Sequence, residues 1–232
     1  MKPILLIRSL LFYLGMSCSL LIFSPLSVLM RPLPFHIRYK TISQWARFQV
    51  WWLQVCCGVT YRLEGLENIP DGPCIVMSNH QSAWETLALQ FILPPQVWVL
   101  KRELLRIPIY GWGLAAMEPI AIDRGAAIKS FRQIVEQGKE RLAKGLWVII
   151  YPEGTRVAPG EERKYLPGGG LLAEKTGLPI LPVAHNSGLF WPRNSLLKYP
   201  GTITMKFGPL IKSDGKKANL VTREVEDWIR SQ

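Results

Sequence analysis

From Ser9 to Met30 the chain runs for twenty-two residues without a charge, SLLFYLGMSCSLLIFSPLSVLM. About 20 such residues cover the hydrocarbon core of a bilayer, so this stretch is long enough to cross or to insert deeply. Lys2 and Arg8 precede it as they would in a signal peptide. The run is long for one, however, and no small-x-small cleavage site follows. A lipobox at Cys18 fits no better, because Gly15 stands where an apolar residue is expected.

A second segment, residues 43 to 59, is amphipathic and places Trp45, Trp51 and Trp52 at the level of the headgroups. Between the two lies RPLPFHIRYK, with Arg31, Arg38 and Lys40. A full crossing would carry these cations to the far side, against the positive-inside tendency. A membrane-embedded two-helix hairpin, inserted mainly from the cytoplasmic face, removes the conflict. An ordinary transmembrane helix followed by a loop is the competing arrangement.

The 232 residues carry a formal net charge of +11, although only 19% are charged and 48% are hydrophobic. A basic, apolar chain suggests an anionic partner: nucleic acid, an acidic carrier protein, or membrane phosphates. The apolar excess favours the membrane, and no nucleic-acid module is present, so nucleic acid is not an expected partner. Cys18, Cys56, Cys57 and Cys74 have neither zinc nor disulfide-framework spacing.

From residue 60 short apolar runs alternate with helical ones, as in an α/β fold with a mixed central sheet flanked by helices. The expected organisation is therefore an anchor of two apolar helices, 1–59, and an α/β domain, 60–232. Strands are expected at 73–78, 97–101, 118–124, 146–152, 179–185 and 201–208. Helices are expected at 82–93, 168–176 and 217–230. Another lies before residue 146, with Ile128, Phe131, Ile134, Val135 and Leu142 on its inner face. Strand ends of such folds converge at one sheet edge, where ligands bind.

Four stretches fall at such ends. In SNHQSAWE, His80 follows a strand and Glu85 lies five residues on. A carboxylate on the second ring nitrogen of a histidine fixes its tautomer and steadies the imidazolium, which suits a general base. The spacing alone does not separate that from a capping histidine and a helix-start carboxylate. No G-x-S-x-G nucleophile elbow occurs, so a nucleophile would arrive with the substrate. YPEGTRVAPG offers Glu153, Gly154, Thr155 and the planar fork of Arg156, suited to phosphate. AIDRG adds Arg124, and KRELLRIPIYGWGL adds Lys101 in front of a proline- and glycine-rich turn.

In order and spacing these blocks resemble the lysophospholipid acyltransferase family, most closely its bacterial 1-acylglycerol-3-phosphate branch, over roughly residues 60 to 210. The family pattern is N-H followed by four residues and an acid, then K-x-E-L-x-x-I-P-x-x-G, I-D-R, F-P-E-G-T-R-S and V-P-V. Here these read Asn79-His80 to Glu85, Lys101 to Gly111, Ile122-Asp123-Arg124, Tyr151 to Arg156 and Leu181-Pro182-Val183. The chain departs at Glu85, usually Asp, and at Tyr151 and Val157, usually Phe and Ser.

The resemblance implies that His80 deprotonates the sn-2 hydroxyl of lysophosphatidic acid, which attacks the thioester of acyl-CoA or acyl carrier protein. Glu85 would orient His80; Arg156, with Arg124 and Lys101, would hold the phosphate; Glu153, Gly154 and Thr155 would position the glycerol phosphate. No metal and no cofactor are implied, because the thioester is already activated. It also implies an enzyme of the inner membrane with its catalytic domain facing the cytoplasm, among anionic phospholipids. The rival readings are transfer to another lyso-lipid and a non-catalytic membrane-surface lipid-binding protein. His36 and His185 are expected to be structural, and Lys206, Lys212, Lys216 and Lys217 a solvated face.

Overall fold

The computed structural model describes residues 2–123, 125 and 127–232. Its first two elements are α1 (Lys2–Leu29) and α2 (Phe35–Cys57), an antiparallel pair joined by a short turn. The second begins well before the expected residue 43, because Pro34 sets the dihedral for helix entry and Gly58, in the left-handed region, closes it. Among the described residues α1 alone is long and apolar enough to cross a membrane, where the sequence led to two membrane-embedded helices.

The orientation of α1 is the reverse of a soluble helix. Its buried positions are Ser9, Phe12, Ser24 and Ser27, whereas Ile4, Ile7, Leu10, Leu11, Leu14, Leu21 and Ile22 point outward. A face of that size left to water is unfavourable; against lipid it is not. The inward side is fastened with polar bonds. Ser9 Oγ accepts the Lys198 amide at 2.9 Å, Lys198 Nζ donates to Tyr13 Oη at 2.9 Å, and Arg8 Nε donates to the Cys56 carbonyl at 2.5 Å. Ser19 Oγ accepts from Gln49 and Trp45 of α2.

The remaining elements are β1 (Val59–Glu64), β2 (Ile75–Ser78), α3 (Trp84–Ile92), β3 (Gln96–Lys101), α4 (Tyr110–Ala116), β4 (Ile120–Ile122), α5 (Ala127–Ala143), β5 (Trp147–Ile150), α6 (Gly168–Thr176), β6 (Ile180–His185), β7 (Gly201–Phe207) and α7 (Ala218–Arg230). The strands form one sheet in the order β1-β7-β6-β2-β5-β3-β4. All neighbours are parallel except β6 and β7. The C-terminal ends of β2, β3, β4, β5 and β6 therefore share one edge, the edge that the sequence blocks occupy.

Alternation along the strands divides the core. Val76, Trp98, Ile149 and Val183 pack with Phe12, Tyr39, Leu53 and Trp84 under α1, α2 and α3. Ile75, Val97, Val148 and Ala184 pack with Ile134, Leu172 and Val225 under α5, α6 and α7. Each large apolar side chain fully removed from water contributes about 1.5–3 kcal/mol. The hairpin is thus built into the same core as the sheet.

Two expectations need correction. Ile128 is exposed; of the expected inner face of α5, Phe131, Ile134 and Leu142 meet the core, and Gly138 packs against Leu172 beside them. The stretch after Lys101 is not a turn: Arg102–Arg106 forms a 3-10 helix, and α4 follows despite its glycines. Gly113 lies against Ser24 and Ser27 of α1, and Ser24 Oγ donates to the Ile109 carbonyl, so packing against α1 stabilises a segment of weak helix propensity.

Candidate active site

The geometry at the sheet edge begins with β2. Past Ser78, the Asn79 side chain continues the pairing with β6: its Nδ2 donates to the His185 carbonyl at 2.8 Å, and its Oδ1 accepts the His185 amide at 3.0 Å. The backbone then turns, and Ser82 Oγ accepts the Trp84 amide at 2.8 Å as α3 starts. His80 and Glu85 meet across this turn, with Nδ1 and Oε1 2.8 Å apart.

Glu85 is fully buried, a position a carboxylate occupies only with several donors. Its Oε1 also accepts the Gln81 and Ser82 amides, each at 3.0 Å, and its Oε2 accepts the hydroxyls of Ser82 at 2.8 Å and Ser187 at 2.9 Å. Burial alone would push this carboxyl up; the imidazoles of His185 and His80 and these hydrogen bonds outweigh it and hold it down at about 2. Glu85 is thus ionised, which assigns the proton of His80 to Nδ1 and leaves Nε2 as an acceptor. No described residue bonds to Nε2. The ring is stacked on Tyr151, with centroids 4.1 Å apart, and its side chain is 17% exposed. A histidine so held, with a free basic nitrogen at an open edge, is built to take a proton from something that arrives there.

The strand-end block after β5 forms the adjoining wall. Gly154 closes a tight turn at φ +70°, its amide bonded to the Tyr151 carbonyl at 2.9 Å, a conformation that disfavours any side chain. Glu153 turns inward, and its Oε2 accepts the His80 amide at 2.6 Å. Thr155 and Arg156 are exposed at the rim. The guanidinium of Arg156 lies within electrostatic reach of Tyr110 on α4, and its carbonyl accepts from Arg193. Lys101 ends β3 exposed, paired in register with Ile122 of β4. Asp123, just past β4, ties α5 to the 3-10 helix: it binds Gln133 at 3.0 Å, Arg102 at 2.7 Å and Lys129 at 3.1 Å. These hydrogen bonds hold its carboxyl well below the usual range. Arg124, the cation expected here, lies outside the described residues.

Burial, opposed by the His80 amide, raises Glu153 from the usual 4.5 to about 7. A carboxyl raised in the folded state favours folding while protonated, and that contribution is lost as pH rises through about 7. Glu153→Gln keeps an acceptor for the His80 amide without the buried charge. Its thermal midpoint should match or trail wild type at pH 5 and exceed it at pH 8; a pH-independent difference in a melting series contradicts this.

Sequence reasoning gave Ser82 no role and did not single out Ser187. His185, expected to be structural, sits behind the dyad with Nε2 3.9 Å from Glu85 Oε1. The available signal was its place at the end of PILPVAH, a strand that finishes at the same edge.

A histidine with an unbonded Nε2 beside a buried acid, at the strand ends of this sheet, is an arrangement that an acyltransferase can use. The chain belongs to that family: residues 60–186 match its profile, described as Acyltransferase. The 1-acyl-sn-glycerol-3-phosphate acyltransferase of Pseudomonas aeruginosa is 44% identical over 99% of this chain and 91% of that protein. The protein of the same name from Borreliella burgdorferi is 32% identical over 74% and 71%. The crystal structure of PlsC, the 1-acyl-sn-glycerophosphate acyltransferase of Thermotoga maritima, superposes with a TM-score of 0.80. It covers 97% of this chain and 93% of that one, at 24% identity, and so establishes the shared fold.

Proposed function

We propose that the chain moves a fatty acyl group from a thioester, acyl-CoA or acyl carrier protein, to the sn-2 hydroxyl of 1-acylglycerol 3-phosphate. The products are phosphatidic acid and a free thiol, a step of phospholipid biosynthesis. The observation that carries this reading is the free Nε2 of His80 beside a fully buried, ionised Glu85. The acceptor hydroxyl gives its proton to Nε2 as its oxygen attacks the thioester carbonyl. The tetrahedral intermediate collapses with loss of the thiolate, which takes the proton back from the imidazolium. The enzyme forms no covalent bond, and Glu85 keeps its charge throughout.

In this reading Arg156, with Arg124 and Lys101, holds the acceptor phosphate at the rim, and Glu153, Gly154 and Thr155 shape the wall against its glycerol. Residues 1–59 serve as the membrane anchor and residues 60–232 as the acyltransferase domain. The outward Leu and Ile side chains of α1 support a bilayer against that helix, with Arg31 and Lys40 near anionic headgroups. The catalytic edge then receives its acceptor from the cytoplasmic face of the inner membrane.

A hydrogen-bonded charge pair contributes about 1.5–3 kcal/mol, or about 10- to 150-fold. Arg156→Ala should therefore raise KM for lysophosphatidic acid in liposomes by about that factor while leaving KM for the thioester unchanged. An equal preference of wild type for a lyso-lipid without the phosphomonoester would instead favour another acceptor.

A further inference from the structure

Five hydrogen bonds reach the Glu85 carboxylate among the described residues, and four of them come from residues 80–82, the turn that leads into its own helix. Those four set the distance between acid and base. They do not set where the turn sits on the sheet, because they would travel with it. The fifth, from Ser187 Oγ at 2.9 Å, comes from just beyond β6, 102 residues away.

The serine hydroxyl has two acceptors in reach. Its Oγ lies 2.9 Å from Glu85 Oε2 and 3.0 Å from His185 Nδ1. His185 Nε2 faces the Asn79 carbonyl at 2.8 Å, which only a protonated nitrogen satisfies; in the neutral ring Nδ1 is then bare. The Ser187 amide points at that Nδ1 from 3.4 Å. The hydroxyl proton is left for the carboxylate, the stronger acceptor because it is charged. His185, Ser187 and Glu85 are all buried, so water does not compete. Through Asn79, the residue before His80, the same histidine also braces the base: three hydrogen bonds join Asn79 to His185.

We propose that Ser187 is a positioning residue for Glu85, and that His185 braces His80 through Asn79, so that the end of β6 fixes both members of the dyad on β2 and α3. This rests on the acyl transfer proposed above. A carboxylate that must stabilise an imidazolium at the moment it forms is effective only if already aimed, and a bond from a second strand supplies the aim. It also accounts for a Glu at this position. The longer side chain spans from the His80 turn to the β6 end, contacting His80 with one oxygen and Ser187 with the other.

Steady-state kinetics on the full chain in liposomes test this, with lysophosphatidic acid and an acyl-CoA. Ser187→Ala should lower kcat about 10- to 30-fold and change neither KM by more than about 2-fold, the loss expected when a ligand's outer partner is removed. Ser187→Thr, which keeps the hydroxyl, should recover most of it. In a Glu85→Gln background, Ser187→Ala should cost less than about 2-fold, since the charge it serves is gone. If Ser187→Ala does not fold, Ser187→Cys, similar in size and a poor donor, replaces it. Wild-type kcat in the alanine or cysteine variant overturns the proposal, and so does the same fold-loss in both backgrounds. His80→Ala separates the two levels. Activity that survives it overturns the acyltransfer reading, whereas activity lost there but retained without the serine hydroxyl overturns only the role of Ser187.

Discussion

His80→Ala is expected to lower kcat about a thousand-fold and to leave both KM values within a few-fold of wild type. The magnitude follows from the role. A positioned general base contributes about 10²- to 10⁴-fold, and no described residue hydrogen-bonds Nε2 to stand in for it. The unchanged KM values follow from the proposed roles, in which the ring meets the reacting hydroxyl and Arg156 holds the phosphate at the rim. The side chain is partly exposed, and its loss takes one of the five hydrogen bonds from buried Glu85 while the four from Gln81, Ser82 and Ser187 stay in place. Thermal unfolding should shift little, which separates this variant from the next.

Glu85 variants should lose both activity and stability, in proportions set by the substitution. Alanine strands the Ser82 and Ser187 hydroxyls and the Gln81 and Ser82 amides in a dry interior. Removing a buried ion that satisfies several donors costs about 3–5 kcal/mol, a large part of a domain's net stability. Glutamine keeps the shape but brings an NH₂ where acceptors are needed, and it favours the wrong His80 tautomer. The amide exchange is expected to lower kcat on the order of 10³- to 10⁴-fold. The pH dependence has a definite sign. Because the folded carboxyl lies near 2 against an ordinary 4.5, the stabilisation by its ionised form is complete above about pH 4.5. It fades as pH falls toward 2. Acid unfolding of wild type and Glu85→Gln should therefore converge at the acid end; parallel curves would contradict the assignment.

What the sequence made legible was whatever lies close along the chain. His80 and Glu85 are separated by one turn, and their pairing follows from a strand running into a helix. The blocks at Lys101, Asp123 and Glu153 were recognisable because each follows a buried strand, and parallel strands end at one edge. Ser187 was invisible, and the part played by His185 was hidden, for the opposite reason: they reach Glu85 only through the pairing of β2 with β6, across about a hundred residues. The helix α4 was hidden by its own composition, since Ile-Pro-Ile-Tyr-Gly-Trp-Gly has low helix propensity and is stabilised by α1. Strand β1, which pairs in parallel with β7 at the sheet's far side, was overlooked beside the apolar segment it adjoins. The inward serines of α1 show the same limit. Hydropathy marks a helix fit for a bilayer, but not which of its faces is fastened to the protein.

The most direct test of the central claim follows both products of one reaction. The purified chain in liposomes receives an acyl-CoA, with and without 1-acylglycerol 3-phosphate, and free thiol and phosphatidic acid are quantified together. A dyad acting as base toward the acceptor hydroxyl predicts one phosphatidic acid per thiol, and almost no thiol when the acceptor is left out. Thiol released at the same rate without acceptor, or released without phosphatidic acid, would mean that His80 activates water or another acceptor.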